Sequence, residues 1–448
     1  MDRLSADDRL ILWPDEVWPQ DVGALAILEG SSLLDADGGV RIDAARDAVG
    51  RRIHLVPRFR QVLHVPRRGL GGPLWVDAPA FDLREHVRVA PVVPPGGDAQ
   101  LLETVEQIRR RRLDRSRPLW EMWLLPGLPA RRIGMFVRLH HVVADGLAGI
   151  ASVAALLGGD ADATAASTQP WVPAAWPSSR ALLGDNLRRR AAGTRRAVAR
   201  LRHPGDVLRG LRGAWPAAHE LLVAEPGPQT SLGRVIGPHR RLALVRGRLD
   251  VVRDVARAQD ATVNDVLLTV ATAGLRRLLA RRAEPVDDVV VPVYVPVSLR
   301  REHSGQAVGN LITQMVVPLP LDIADAGQRL RHIAAETARR KAMVRPPLGA
   351  MFRSRPLAGV MLKLVARQRV NVVTADLPGP PAPLSFAGAR LLEVFPLVNL
   401  IGTVSLGVAA LSYAGQFNLM VVADADAYPD LDVFVAAVED ELRATALR

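Results

Sequence analysis

His140-His141-Val142-Val143-Ala144-Asp145-Gly146 is the stretch that decides the fold of this chain. The apolar run before it, residues 133–139, predicts a buried strand, and residues 147–157 after it predict the first turns of a buried helix. The motif therefore lies on a strand-to-helix connection, where a rigid scaffold can hold a side chain at the wall of a cleft. A neutral imidazole at that place can accept a proton from a hydroxyl group near neutral pH.

Two other interpretations of the paired histidines compete with this one. A buried histidine can serve packing and hydrogen bonding alone. Metal binding is less favoured, because adjacent residues on an extended strand point to opposite faces and the chain offers neither cysteine nor a His-x-x-x-His pair. We predict that His141 faces the cleft, that His140 faces the interior, and that Asp145 is a structural partner that fixes the loop.

Length and composition favour a two-domain globular protein. With 448 residues and 49% hydrophobic residues, the chain exceeds one typical core and can fill two. The absence of cysteine excludes disulfides, a zinc-thiolate site and a cysteine nucleophile. The first eight residues are acidic and lack the apolar core of a signal peptide, so we expect a cytoplasmic location.

The net charge of +12 does not by itself predict nucleic-acid binding. Lys341 and Lys363 are the only lysines, and the other 56 basic residues are arginines, a bias typical of a GC-rich genome. The excess is local: residues 180–212 hold ten arginines against two aspartates, a net charge of +8. Aromatic residues make up 4% of the chain and do not alternate with these arginines, so stacking platforms for single strands are not indicated.

One apolar stretch resembles a membrane span. Residues 394–423 carry no charge, and about 20 apolar residues suffice for a transmembrane helix. Pro396, Gly402, Gly407 and Gly415 divide this stretch into short segments rich in β-branched residues. We therefore predict buried strands joined by glycine turns.

The organisation along the chain suggests two α/β halves and a basic connection. We assign residues 1–179 to an N-terminal half, 180–234 to a basic helical linker and 235–448 to a C-terminal half. In the linker, a helical stripe carries arginines on its other faces and consists of Leu183, Leu187, Ala191, Val198 and Leu201. Such a helix can lie on an anionic lipid surface, or it can be a solvated helix packed across the two domains.

Several ordered motifs resemble those of a known family. The histidine motif is that of the coenzyme-A-dependent acyltransferases and of peptide-synthetase condensation domains. The remaining blocks resemble the bacterial wax ester synthase/diacylglycerol acyltransferase family, and they are Arg117-Pro118-Leu119-Trp120, Ala261-Thr262-Val263-Asn264-Asp265-Val266, Pro296-Val297-Ser298-Leu299-Arg300, Gly309-Asn310 and Leu377-Pro378-Gly379-Pro380. This similarity extends over nearly the full chain.

The resemblance implies an α/β fold of two chloramphenicol-acetyltransferase-like domains, each a mixed sheet with flanking helices, and a channel between them. It implies transfer of a long-chain acyl group from acyl-CoA to a diacylglycerol or fatty alcohol, with neither metal nor prosthetic group and without a covalent acyl-enzyme. His141 would be the general base, supported by His140, Asp145 and Gly146 of the motif. A peripheral position on the inner membrane or on lipid inclusions is compatible with such substrates.

Further residues receive roles by the same resemblance. Asp145 is expected to pair with Arg300 across the domain interface. Asn264 either donates to the oxyanion or caps its helix, and these alternatives stay open. Asp265, Asn310 and Asp376 are expected to support the site. The substrate channel is expected to be shaped by Pro118, Leu119, Trp120, Pro378 and Gly379.

Two departures from the family pattern stand out. Ala375-Asp376 occupies the place where the family usually has Ser-Asn, so a charge replaces an amide near the expected site. Trp18-Pro19-Gln20-Asp21-Val22 occupies the place of an expected Met-His pair. Two rival functions therefore remain: a condensation-like enzyme that uses a carrier-protein thioester, and an inactive lipid-binding homologue.

Overall fold

Two six-stranded sheets form the frame of the protein. The computed structural model describes residues 1–12, 14–144, 146–158, 171–202, 228–298, 312–343 and 370–446, together with residues 205, 209 and 212. Its strands are β1 (Asp21–Glu29), β2 (Gln61–His64), β3 (Leu74–Asp77), β4 (Val87–Val89), β5 (Trp120–Leu125), β6 (Arg132–His140), β7 (Arg240–Arg248), β8 (Val290–Ser298), β9 (Ile312–Pro320), β10 (Val372–Pro378), β11 (Ser385–Phe386), β12 (Ala389–Leu397), β13 (Leu406–Tyr413) and β14 (Gln416–Asp424). The first sheet has the order β11-β12-β1-β6-β5-β4, the second β7-β14-β13-β10-β8-β9, and β2 pairs with β3.

Helices flank both sheets. They are α1 (Ala6–Leu12), α2 (Ile42–Arg52), α3 (Asp98–Arg109), α4 (Gly146–Leu157), α5 (Ser179–Leu201), α6 (Leu249–Ala258), α7 (Val263–Arg281), α8 (Ala326–Lys341) and α9 (Leu431–Ala446). A short 3-10 turn, Pro57–Arg60, immediately precedes β2.

The expected strand-to-helix connection is present around the histidine motif. β6 ends at His140, and α4 begins at Gly146. Side chains of β6 alternate between two apolar clusters, as a strand buried on both faces requires. Val137 and Leu139 belong to a cluster with α2 and α4, whereas Phe136 belongs to a cluster shared with the second sheet. The motif therefore follows a strand that is fixed on both sides.

The cluster between the sheets joins the two halves of the chain. Leu25 and Phe136 of the first sheet pack there with Leu244, Tyr294 and Met420 of the second sheet. These side chains are between 0% and 8% exposed. Burial of such apolar surface stabilises each contact by roughly 25 cal/mol per Å². The two sheets are therefore held against each other by a continuous apolar core.

The first sheet also contains strands from the C-terminal part of the chain. β12 pairs antiparallel with β1, with Gly23 opposite Leu397, and β11 pairs with β12. The division of the chain at residues 179 and 235 stays a prediction, but the sheets do not follow it completely. A strand from the second half completes the sheet that carries the histidine motif.

The uncharged stretch of residues 394–423 forms strands, as predicted from its glycine turns. It supplies the end of β12, all of β13 and most of β14. β13 and β14 form a hairpin, and β13 also pairs in parallel with β10. Among the described residues, no helix combines the length and the apolar character needed to cross a membrane.

Candidate active site

The two histidines occupy different environments. His140, the last residue of β6, is 2% exposed, whereas His141 is half-buried in the turn that follows. The backbone N–H of His141 donates to the carbonyl of Gln20 at 2.7 Å, and the N–H of Val143 donates to the carbonyl of His140 at 2.8 Å. The turn thus places His141 at the end of the sheet while His140 faces the interior.

The imidazole of His140 contacts one group on each side. Its Nδ1 accepts the backbone N–H of Val142 at 3.0 Å, and its Nε2 lies 3.2 Å from Oδ1 of Asp15. Burial opposes ionisation of Asp15, but contacts with His140 and Arg115 and a hydrogen bond from the Gln20 N–H outweigh burial and hold its pKa well below the usual range. Asp15 therefore presents a carboxylate to His140 at neutral pH.

A buried arginine lies on the same face of β6. Arg138 is 1% exposed, and its guanidinium donates to Asp21 at 3.2 Å, to Glu121 at 2.8 Å and to the carbonyl of Arg111 at 2.6 Å. Asp21 pairs directly with His140 in the β1–β6 register. Burial raises the pKa of the Asp21 carboxyl, and attraction to Arg138 opposes this effect. This network fixes the end of β6 by charge and by hydrogen bonding.

Part of the predicted motif lies outside the described residues. Asp145 and Arg300 are both in this group, so their expected ion pair stays a prediction, and the same holds for Gly309 and Asn310. Gly146 is the first residue of α4. The structure therefore describes the histidine end of the motif and the beginning of the following helix.

Thr262, and not Asn264, caps the helix that carries the Asn-Asp pair. The Thr262 hydroxyl accepts the N–H of Asp265 at 3.3 Å, and Oδ2 of Asp265 accepts the N–H of Thr262 at 2.8 Å. This is a reciprocal capping box. Oδ1 of Asp265 accepts the hydroxyl of Thr337 at 2.7 Å, which links α7 to α8. The capping role that we considered for Asn264 is therefore wrong, because the N-cap is two residues earlier.

Asp376 lies near the contact between the two halves. β10 contacts both α4 and α7, and the neighbouring Leu377 packs against the apolar cluster of the first half. Burial raises the pKa of Asp376 to about 6, with Lys341 lowering it and Asp265 raising it. The carboxyl group is therefore partly protonated near neutral pH.

The side chains of Leu119 and Trp120 are packed into the apolar core. Each is 1% exposed, and Trp120 stacks between Phe59 and His86 at ring distances of 4.9 and 4.7 Å. The indole N–H donates to the carbonyl of Phe59 at 2.9 Å. The contribution of Pro118, Leu119 and Trp120 to a substrate channel stays a prediction. The segment also contributes to the site through its backbone, since the Leu119 carbonyl accepts the N–H of His140 at 3.0 Å.

β10 ends at Pro378, and Gly379 follows it beside β13. The N–H of Gly379 donates to the carbonyl of Ser412 at 3.0 Å. A Cβ atom at Gly379 would lie 2.4 Å from the same oxygen, so a side chain does not fit there. Pro378 is exposed and Gly379 is half-buried. Their contribution to the channel wall stays a prediction.

Sequence reasoning missed Asp15, Gln20 and Arg138 as neighbours of the histidine pair. Asp15 and His140 are 125 positions apart, so no local spacing connects them. The available signal was the atypical segment Trp18-Pro19-Gln20-Asp21-Val22, which contains Gln20 and Asp21 and stands where a Met-His pair is expected. These two residues contact the turn and the buried arginine that hold the motif.

Comparison with known proteins reveals relatives over the full chain. Residues 4–267 match the family model of the wax ester synthase/diacylglycerol acyltransferase catalytic domain, and residues 308–445 match the model of the WS/DGAT C-terminal domain. A protein of Mycobacterium bovis, provisionally named a diacylglycerol O-acyltransferase, is 30% identical over 437 residues, which cover 94% of this chain and 89% of the relative.

Solved structures show the same fold. The wax ester synthase/diacylglycerol acyltransferase from Marinobacter aquaeolei VT8 superimposes with a TM-score of 0.71 at 23% identity, covering 100% of this chain and 99% of the other. The starter condensation domain of rhizomide synthetase, in complex with C8-CoA and Leu-SNAC, gives a TM-score of 0.61 at 16% identity, with coverages of 100% and 94%. These matches confirm the predicted two-domain α/β architecture.

Proposed function

This chain belongs to the wax ester synthase/diacylglycerol acyltransferase family, and we propose that it moves a long-chain acyl group from acyl-CoA to the hydroxyl of a diacylglycerol or a fatty alcohol. The observation that carries the proposal is the turn after β6. It buries His140 and leaves His141 half-buried at the end of the sheet, beside a helix that begins at Gly146. A base in that place can meet a hydroxyl without full exposure to water.

The reaction proceeds by direct transfer. His141 takes the proton of the acceptor hydroxyl as its oxygen attacks the thioester carbonyl, which forms a tetrahedral oxyanion. The carbon–sulfur bond then breaks, the ester remains, and the imidazolium gives the proton to the departing CoA thiolate. All atoms and charges balance with acyl-CoA and alcohol as the only reactants. The mechanism uses no metal, no prosthetic group and no covalent acyl-enzyme.

The oxyanion requires hydrogen-bond donors in this mechanism. Asn264 is the candidate that we favour, because Thr262 already caps α7 and the Asn264 amide is not needed for that purpose. The side chain of Asn264 is half-buried in the first turn of the helix. The partial positive charge at a helix N-terminus adds to the stabilisation of a nearby oxyanion.

The test compares wild type with His141→Ala in two acceptor assays, one with diacylglycerol and one with fatty alcohol. Because the chain has no cysteine, a thiol reagent reports only the CoA that the reaction releases. We expect ester product from wild type and a loss of more than about a hundredfold in the variant. His332→Ala is the matched control, since His332 is exposed on α8, and it is expected to retain wild-type rates.

The outcomes separate the rival functions. Equal rates in wild type and His141→Ala would exclude the general-base role. Turnover with an acyl carrier protein thioester, but not with free acyl-CoA, would identify a condensation-like enzyme. Lipid binding without turnover of either donor would identify an inactive homologue.

We further propose that α5 binds an anionic lipid surface. Its apolar side chains Leu183, Leu187 and Val198 are 44%, 57% and 47% exposed, and we call them the α5 stripe. Arginines at several exposed positions of the same helix complement negative headgroups. The beginning of α5 is anchored to the first half, because Asp185 accepts from Arg3 at 2.6 Å and Leu182 packs against the β2–β3 hairpin. A lipid surface would thereby be brought close to the protein half that carries the histidines.

Vesicle flotation tests this association. Vesicles of phosphatidylglycerol should bind the protein more strongly than vesicles of phosphatidylcholine, and added salt should weaken binding. Replacing the α5 stripe by serine should reduce binding about tenfold or more. Val235→Ser is the control, since Val235 is a 69% exposed apolar residue away from α5. Undiminished binding by the serine variant would contradict the assignment.

A further inference from the structure

The N-terminal segment before β1 surrounds the histidine turn from one side. Pro14–Glu16 form a short 3-10 turn, and Asp15 within it is 7% exposed. Gln20, immediately before β1, is 3% exposed. Both residues are polar and buried, which is costly unless their groups are paired.

Both the backbone and the side chain of Gln20 form hydrogen bonds. Its N–H donates to Oδ1 of Asp15 at 2.9 Å, and its carbonyl accepts the N–H of His141 at 2.7 Å. Its side-chain Nε2 donates to the carbonyl of Trp18 at 2.7 Å, and its Oε1 accepts from Asn399 at 2.8 Å. One residue therefore connects Asp15, the backbone of His141 and a loop of the second half.

The hydrogen bonds of His140 determine its tautomer. Because Nδ1 accepts the N–H of Val142, the ring proton of the neutral form is on Nε2. Nε2 lies 3.2 Å from Oδ1 of Asp15, and this negatively charged oxygen favours a proton on that nitrogen. Without an oxygen acceptor there, the opposite tautomer would become accessible, and it would remove the acceptor for the Val142 N–H. The state of Asp15 is therefore coupled to the geometry of the turn.

We propose that Asp15 and Gln20 are positioning residues for His141. Asp15 holds His140 in the Nε2–H tautomer, so that its Nδ1 fixes the Val142 amide, while the Gln20 carbonyl fixes the His141 amide. The turn that presents the base is then held on both sides of His141. This inference rests on the proposed role of His141 as general base. Displacement of the base should lower kcat and leave substrate affinity nearly unchanged, because the reacting atoms lose their alignment.

The experiment compares Asp15→Leu and Asp15→Asn with wild type. Leucine has a similar size but offers no acceptor, whereas asparagine keeps an oxygen for the His140 and Gln20 N–H groups. We expect kcat of Asp15→Leu to fall about 10- to 100-fold with KM for acyl-CoA within about threefold. We expect Asp15→Asn to recover most of this loss, since rescue by the conservative side chain marks a positioning role.

Amide hydrogen exchange supplies a measurement independent of activity. In Asp15→Leu, the amides of residues 141–143 should exchange at least about tenfold faster, while those of β13 and β14 keep their protection. Asp424→Asn is the matched control. Asp424 is also a buried carboxylate, 2% exposed, but it accepts from Gly237 and Arg240 in the second half. Asp424→Asn should lower the free energy of unfolding and keep kcat within about twofold of the wild-type value.

Three results would overturn the inference. One is a folded Asp15→Leu protein with kcat within about twofold of wild type. Another is faster exchange spread evenly over both sheets, with kcat falling only in proportion to the unfolded fraction. If Asp15→Leu does not fold, Asp15→Ala takes its place, because alanine also removes the acceptor: wild-type exchange of residues 141–143 and wild-type kcat in that variant would also refute the inference. Absence of turnover in wild type contradicts the proposed function instead, and the exchange measurement still tests the anchoring of the turn.

Discussion

Asp376→Asn should make the protein more stable at alkaline pH and leave its stability unchanged at acidic pH. Burial raises the pKa of Asp376 from 3.8 to about 6. Between these values, the folded protein keeps a proton that the unfolded chain has released. The free energy of unfolding therefore falls as the pH rises through this window, since each pKa unit corresponds to about 1.4 kcal/mol. Asparagine does not ionise and avoids this loss.

The size of the effect follows from the two pKa values. A difference of roughly two units gives about 3 kcal/mol as an upper bound. Because Asp376 is half-buried and water screens part of its charge, about 1–2 kcal/mol is the value that we expect above pH 7. Well below the unfolded-state pKa of 3.8 the acid is protonated in both states, and the two proteins should be equally stable.

Thermal unfolding of both proteins between pH 4.5 and 8.5 tests this prediction. The difference in midpoint should grow as the pH rises from about 4 towards about 6 and reach a plateau above that value. Asp250→Asn is the control, because Asp250 is exposed and its pKa is lowered by Arg248, so it remains ionised throughout this range. A difference that is constant with pH, or an Asp376→Asn protein that is less stable at pH 8, would refute the reasoning.

Further substitutions separate structural from chemical roles. Thr262→Ala should lower the free energy of unfolding by about 1 kcal/mol in a denaturation assay, because the capping box is lost. Asn264→Ala should leave the free energy of unfolding unchanged and lower kcat about 100-fold in a CoA-release assay. Arg138→Met should cost about 3–5 kcal/mol in urea unfolding, because it leaves Asp21 as a buried carboxylate without its cation, and an unchanged midpoint would contradict this. Trp120→Ala should lower the free energy of unfolding by about 3–5 kcal/mol without a shift in preferred acyl length, since its indole fills the core. A changed chain-length profile would instead support the channel assignment.

The sequence allowed prediction of those elements whose signal is local. The strand and helix on either side of the histidine motif follow from apolar periodicity, and the strands within residues 394–423 follow from glycine turns. Strand alternation accounts for the inward side chain of His140, whereas His141 lies in the turn after β6, and the turn accounts for its greater exposure. These features need no knowledge of distant residues.

Pairings between distant parts of the chain could not be predicted, because no local pattern in the sequence specifies them. The β1–β12 pair joins residues about 370 positions apart, and nothing in either strand specifies the other. The buried position of Trp120 was missed because an apolar segment after a proline fits a core strand and a channel wall equally well. The cap at Thr262 was missed because Asn is itself a good cap, and only the reciprocal hydrogen bonds with Asp265 decide between them.

The two departures from the family pattern differ in how the structure accommodates them. Asp21 lies 3.2 Å from the Arg138 guanidinium, and Gln20 next to it satisfies four hydrogen bonds, so this departure is compensated by its neighbours. For Asp376, the positive charge of Lys341 favours ionisation, but burial and the negative charge of Asp265 together outweigh it. Natural sequences retain such uncompensated groups mainly where function requires them. We therefore expect Asp376, more than Asp21, to influence which acceptor the enzyme uses. Asp376→Asn should change the ratio of diacylglycerol turnover to fatty-alcohol turnover. If the carboxyl group of Asp376 has only a structural role, that ratio stays unchanged.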